Sequence, residues 1–120
     1  MPGSNTRRLG LLLGLVAALV LSTSASAQTT KLTGIVGPGF NISITKGGKK
    51  LLTVRAGRYT IAVADRSNIH NFHLKGLGVN KDSGVAQTGN KSWIVTLKRG
   101  RYVIVCDPHA SPMKDSFVVN

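Results

Sequence analysis

The segment Tyr102-Val103-Ile104-Val105-Cys106-Asp107-Pro108-His109-Ala110-Ser111-Pro112-Met113 brings a cysteine to the end of an apolar run, then supplies a histidine and a methionine from a short proline-containing loop. Thiolate, imidazole and thioether together select a soft metal. Zinc sites combine Cys, His and carboxylates, whereas two His and one Cys in a trigonal arrangement with a weak axial Met define the type 1, or blue, copper site. The second imidazole must come from elsewhere, and both remaining histidines lie in Ile69-His70-Asn71-Phe72-His73-Leu74. On a strand, His70 shares a face with Phe72 and Leu74, while Asn71 and His73 face the other way. The apolar companions mark the core side, so His70 is expected to point inward and His73 outward. A lone inward His or Cys is ordinarily a packing residue. Their joint occurrence with His109 and Met113 makes His70, Cys106, His109 and Met113 the candidate metal residues and copper the expected cofactor.

The elements that must position these residues alternate with period two: Phe40, Ile42 and Ile44; Tyr59, Ile61 and Val63; Trp93, Val95 and Leu97; Tyr102, Ile104 and Cys106. Turn residues punctuate them at Gly37-Pro38-Gly39, Gly47-Gly48, Ala56-Gly57 and Arg99-Gly100. Seven or eight antiparallel strands are expected, near 31–36, 40–46, 50–54, 58–64, 69–75, 91–97, 101–106 and 115–119, forming a β-sandwich or barrel. Gly76 to Asn90 reads as an irregular connection or flap. Trp93, in phase with Val95 and Leu97, reads as core. The stretch from Thr53 to Ile61 echoes that from Thr96 to Ile104 at an offset of 43 residues. Each copy is a strand, a basic turn and a strand opening with tyrosine, where the tyrosine can pin the preceding corner.

At 120 residues, with a single Cys, the chain holds one small domain and excludes both a disulfide framework and a multi-cysteine zinc site. With 42% hydrophobic residues it is not a disordered polybasic tail. Residues 1–27 carry Arg7 and Arg8, an apolar stretch from Leu9 to Leu21, and Ala25-Ser26-Ala27, the layout of a cleavable signal peptide for export to the periplasm or beyond. Thr6-Arg7-Arg8 matches a twin-arginine signal only in part, because Gly10 stands where a large apolar residue is favoured. Cleavage after Ala27 leaves a domain of residues 28–120, and loss of Arg7 and Arg8 lowers the formal charge from +12 to +10. The apolar stretch is too short to span a bilayer comfortably.

His70-Asn71, Tyr102 placed before the cysteine, the Cys106-x-Pro108-His109 loop with Met113, and the closing Phe117-Val118-Val119-Asn120 together resemble the cupredoxins, the family of plastocyanin, pseudoazurin, amicyanin and azurin. The resemblance covers essentially all of residues 28–120. It implies an all-β Greek-key β-sandwich of seven or eight strands, with His70, Cys106 and His109 as strong copper ligands and Met113 as the axial one. It further implies that Asn71 ties the two ligand-bearing loops together and that His109 is an exposed electron port. Three residues separate His109 from Met113, a spacing between those of the amicyanin and plastocyanin loops, and Asp115 stands where these families place a glycine.

No paired carboxylates, general base or nucleophile elbow is recognisable, so the expected role is electron carriage rather than catalysis. A copper-delivery protein is the alternative, although such proteins favour Met-rich sites and Met113 is the only methionine after residue 27. An Ig-like interaction module is a further alternative; a multicopper oxidase fragment fails on size. The expected partners are redox proteins with an acidic docking surface, not nucleic acid, and the expected state is a monomer. Counting strand directions places Lys46, Lys49 and Lys50 on a hairpin at the metal end, and Arg55, Arg58, Lys98, Arg99 and Arg101 at the opposite end. On that count the lysine hairpin steers the acidic partner to His109.

Overall fold

A computed structural model describes residues 2, 3, 10–23 and 28–120. Arg7, Arg8 and the Ala25-Ser26-Ala27 cleavage motif lie outside the described residues. Residues 10–23 are exposed and carry no regular secondary structure. Among the described residues, no helix is long and apolar enough to cross a membrane.

Ten strands follow: β1 (Thr30–Val36), β2 (Ile42–Lys46), β3 (Lys49–Lys50), β4 (Thr53–Val54), β5 (Gly57–Asp65), β6 (His73–Gly76), β7 (Val79–Asp82), β8 (Gly89–Leu97), β9 (Gly100–Val105) and β10 (Lys114–Val119). One sheet has the order β3-β2-β1-β5-β8 and the other β4-β10-β9-β6-β7. The architecture is the expected all-β sandwich. Its core is the inward halves of the alternating strands: Leu32, Ile44, Ile61, Val63, Val95 and Leu97 from the first sheet meet Leu74, Tyr102, Ile104, Phe117 and Val119 from the second, all buried. Trp93 packs on this core while half-buried, its ring centroid 6.2 Å from that of Phe72. Gly34 makes room for Phe72, whose ring carbons would lie 2.7 Å from any Cβ added there.

Several expectations need correction. The sheets are mixed, because β1 runs parallel to β5 and β4 parallel to β10. Residues 50–54 are not one strand; β3 and β4 belong to opposite sheets, so the chain crosses the sandwich edge at Leu51-Leu52. Residues 76–90 are not wholly irregular, since β7 folds back on β6 as a hairpin. Phe40 is not a core strand residue; it precedes β2 and is 65% exposed.

The split of residues 50–54 also reverses the count of strand directions. β5 ends at Asp65 beside the metal-ligand candidates, β1 is parallel to it, and β2 is antiparallel to β1 with Thr45 opposite Thr33. β2 therefore runs away from that end, and Lys46 and Lys49 lie at the opposite pole, with Arg55, Arg58, Lys98 and Arg99. Lys50 reaches back to pair with Asp115 at 3.3 Å. A hairpin placed there does not orient a partner onto His109.

The repeated corner is present in both copies. The Tyr59 hydroxyl donates to the Arg55 carbonyl at 2.6 Å. The Tyr102 hydroxyl lies 3.0 Å from the Lys98 carbonyl and accepts from the Lys98 N–H at 2.9 Å. Each aromatic body is buried while its polar tip holds the turn before its strand.

Candidate metal centre

β9 delivers Cys106 to the end of the sandwich, where the strand passes into a short 3-10 turn, Asp107–His109, with Pro108 in its first positions. Proline favours the start of such a turn because it fixes φ and lacks an N–H that would go unpaired there. Three backbone bonds close the loop: His109 N–H to Cys106 O, Met113 N–H to His109 O and Cys106 N–H to Met113 O, each 3.0 Å. The three-residue spacing between His109 and Met113 thus produces a tightly bonded loop that turns Met113 into the core, where it is 1% exposed.

His70 comes from the connection between β5 and β6. Gly37, with φ of 71°, arches past it, and a Cβ there would lie 2.8 Å from Ser67 Cβ and 3.5 Å from His70 Cδ2. The chain around Ile69–Phe72 is not a strand, so the two-residue parity used to orient it does not apply. His70, Asn71 and Phe72 are all fully buried. The expectation that His70 faces inward holds, but Asn71 faces inward as well, and His73 is half-buried rather than free in solvent.

His70 Nδ1 and His109 Nδ1 are 3.0 Å apart, and each is 3.6 Å from Cys106 Sγ. A point in the plane of these three atoms lies about 2.0 Å from all of them, close to the metal–nitrogen and metal–sulfur distances of about 2.0–2.3 Å in comparable N/S sites. Three donor atoms that converge without filling the space between them fit one ion, and a thiolate with two imidazoles is a copper-compatible donor set. His70 Nε2 is buried with no hydrogen-bond partner among the described residues. Ligating histidines usually donate their second N–H to an acceptor; here packing orients the ring instead, with Phe40 edge-on to His70 at 5.2 Å and to His109 at 4.9 Å between ring centroids.

A polar network braces the ligand loop: Asn71 ties the two loops as the resemblance implied, and Asp82, His73 and Asn80 join it without having been expected to. Asn71 Nδ2 donates to Asp107 Oδ2 at 2.7 Å and Asp82 Oδ1 at 2.9 Å, while Asn71 Oδ1 accepts the Asp107 N–H at 2.8 Å. His73 bridges Asp107 Oδ2 at 2.7 Å and Asn80 Oδ1 at 2.5 Å. Burial opposes ionisation of Asp107, but hydrogen bonds from Asn71 and His73 and the charges of His73 and Lys75 outweigh it, holding its carboxyl below the usual aspartate range. Asp115, in the position noted for glycine, is half-buried, accepts from the Ser116 N–H at 2.8 Å and carries the ion pair to Lys50.

Two facing sheets with this cluster at one end define a cupredoxin fold. Rusticyanin shares it: the structure of reduced rusticyanin superposes with a TM-score of 0.58 at 20% identity, covering 80% of this chain and 82% of that one. A second structure, described as the copper protein rusticyanin, gives 0.57 at 17% identity over 79% and 80% of the two chains. Rusticyanin from Thiobacillus ferrooxidans gives 0.52 at 22% identity over 79% of each. No protein-family model matches the sequence, and no curated protein matches it.

Proposed function

We propose that this chain is an exported type 1 copper protein that carries single electrons between protein redox partners, with His70, Cys106 and His109 as strong ligands and Met113 as the axial one. The observation that carries this reading is the triangle of two Nδ1 atoms and one Sγ, sized for a single ion. Bound copper supplies one-electron chemistry between Cu(I) and Cu(II), which the soft and borderline donors of this set both tolerate. The chain's own residues hold the donors fixed and keep solvent away. Cys106, His70 and Met113 are buried, so no open side of the cluster offers itself to a substrate. His109 alone of the four reaches the surface, among exposed Pro108, Ala110, Pro112 and Phe40. That apolar collar suits close approach of a partner's redox group, as the cupredoxin resemblance implies.

Buried ligands support a carrier over a copper-delivery protein, which must surrender its ion. The formal charge of +10 for residues 28–120 attracts a partner with an acidic docking surface at long range. Periplasmic location is read from the signal-like residues 1–27, and in that compartment the lone buried Cys106 is accounted for by metal ligation rather than by a disulfide. The domain acts as a monomer in this reading.

The test is the visible spectrum of the protein reconstituted with Cu(II). An intense thiolate-to-copper band toward the red, absent in Cys106→Ser and bleached and restored by one-electron reductant and oxidant, is the expected result. A colourless, weakly absorbing Cu(II) complex would overturn the reading.

A further inference from the structure

We propose that the end of the sandwich opposite the metal cluster is a docking face for an anionic lipid bilayer. The inference does not depend on the metal reading, and it rests on the reading of residues 1–27 as an export signal. It starts from where the charges fall: Lys46, Lys49, Arg55, Arg58, Lys98 and Arg99 are all exposed at that pole. The chain has four carboxylate side chains, Asp65, Asp82, Asp107 and Asp115, and the strand register places all of them in the half that holds the metal cluster. Lys50, paired with Asp115, marks the boundary.

The two copies of the basic corner build most of this face. Tyr59 ties down the turn that carries Arg55 and Arg58, and Tyr102 ties down the turn that carries Lys98 and Arg99. The β2–β3 hairpin adds Lys46 and Lys49 on a third turn. Leu77, 60% exposed, lies in the β6–β7 turn beside the Tyr102 corner, its carbonyl 3.2 Å from the Tyr102 hydroxyl. Long cationic side chains on three separate turns spread across the pole match a broad anionic plane, which meets them all at once while their aliphatic stems lie along its apolar edge.

Chain direction selects a bilayer over an acidic protein. Thr30 opens β1 opposite Tyr59. The polypeptide that precedes it, including the apolar run from Leu9 to Leu21, therefore joins the domain at this same face. On the export reading, this is the face nearest the membrane from which the chain would emerge, where the charge it would meet is that of anionic headgroups. The strand β5, nine residues long, then separates the bilayer from the His70–Cys106–His109 end by roughly 30 Å, leaving His109 pointed away from the lipid.

Among the described residues, the core cluster lies wholly within Leu32 to Val119 and residues 10–23 are exposed, so residues 28–120 serve as the test protein. Its binding to vesicles of mixed phosphatidylglycerol and phosphatidylcholine is measured by co-sedimentation at low and high salt. Two variants of equal charge are compared: one with Lys46, Lys49, Arg55 and Arg58 changed to Gln, the other with Arg66, Lys81, Lys91 and Lys114 changed to Gln. Since a cation near an anionic surface contributes about fivefold in affinity, the first variant should bind at least tenfold more weakly and the second within about threefold of the parent. Salt should suppress binding, and phosphatidylcholine alone should not bind. Equal losses in the two variants would show that net charge acts without a face, and would overturn the proposal. So would binding of poly-L-glutamate through the first set of residues without binding of anionic vesicles, which would make the face a dock for acidic polypeptide.

Discussion

His70 Nδ1 and His109 Nδ1, 39 residues apart in the chain, meet at 3.0 Å. Two imidazoles held this close, one of them fully buried, leave their nitrogens facing a single point shared with Cys106 Sγ. A site built this way should bind an ion far better than the unfolded chain does, and such an ion would stabilise the fold by mass action. At copper a hundredfold above its dissociation constant the gain is about 2.7 kcal/mol, roughly 10–20 °C in Tm for a domain of this size. Calorimetry of metal-free and Cu(II)-loaded protein checks this, and superimposable melts would contradict it.

His70→Ala should abolish the thiolate-to-copper band. His73→Ala should retain it, since His73 points to Asp107 and Asn80 and not to Cys106. The second variant still pays for its two lost hydrogen bonds, about 1–2 kcal/mol in chemical denaturation. A band lost in His73→Ala and kept in His70→Ala would show that the ligand set is wrong.

This pair of histidines also shows where the sequence was readable. The candidate donors were legible as a cluster because few side chains bind a soft metal and the Cys106 loop gathers three of them. The position of His70 was legible for a partly mistaken reason. Parity holds only along a hydrogen-bonded strand, and the chain straightens into β6 only at His73, so His70, Asn71 and Phe72 can all turn inward. Phe40 misled in the same manner: its alternation with Ile42 and Ile44 continues one step beyond the strand, into the arch after Gly37 that carries its ring over the two histidines. The tyrosine corners were legible because each is a local contact across four residues. The polarity of the lysine hairpin was not, since it depends on the parallel pairing of β1 with β5, which no short-range pattern encodes.

Met113→Leu should keep the fold and the copper while shifting the reduction potential. Met113 is buried, and leucine is close to it in volume, so the packing cost should stay below about 1.5 kcal/mol. The backbone bonds from Cys106 N–H to Met113 O and from Met113 N–H to His109 O hold the loop whichever side chain is present. An axial thioether is a weak ligand that tunes the site rather than assembling it. Voltammetry and copper stoichiometry separate the outcomes; complete loss of copper would mean that the thioether is essential to assembly.

Asn71 fastens the His70 connection to the Cys106 loop through Asp107, and the two residues should behave as one unit. Asn71→Ala removes the acceptor for the Asp107 N–H and both donated bonds, so a cost of about 1–3 kcal/mol is expected in the metal-free protein. Asp107→Asn tests the charge alone. The folded-state pKa of Asp107 is lowered, so its carboxylate contributes stability above its unfolded value of about 4, and that contribution disappears as pH falls through the folded value. The stability gap between the parent and Asp107→Asn should therefore be present near neutrality and close below about pH 4. With the Asp107 side chain 41% exposed, solvent screening keeps the gap small. Denaturant titrations of both metal-free proteins at neutral pH and at about pH 3 measure it. A gap that persists unchanged into acid would show that the Asn71–Asp107 contact acts through shape and not through charge.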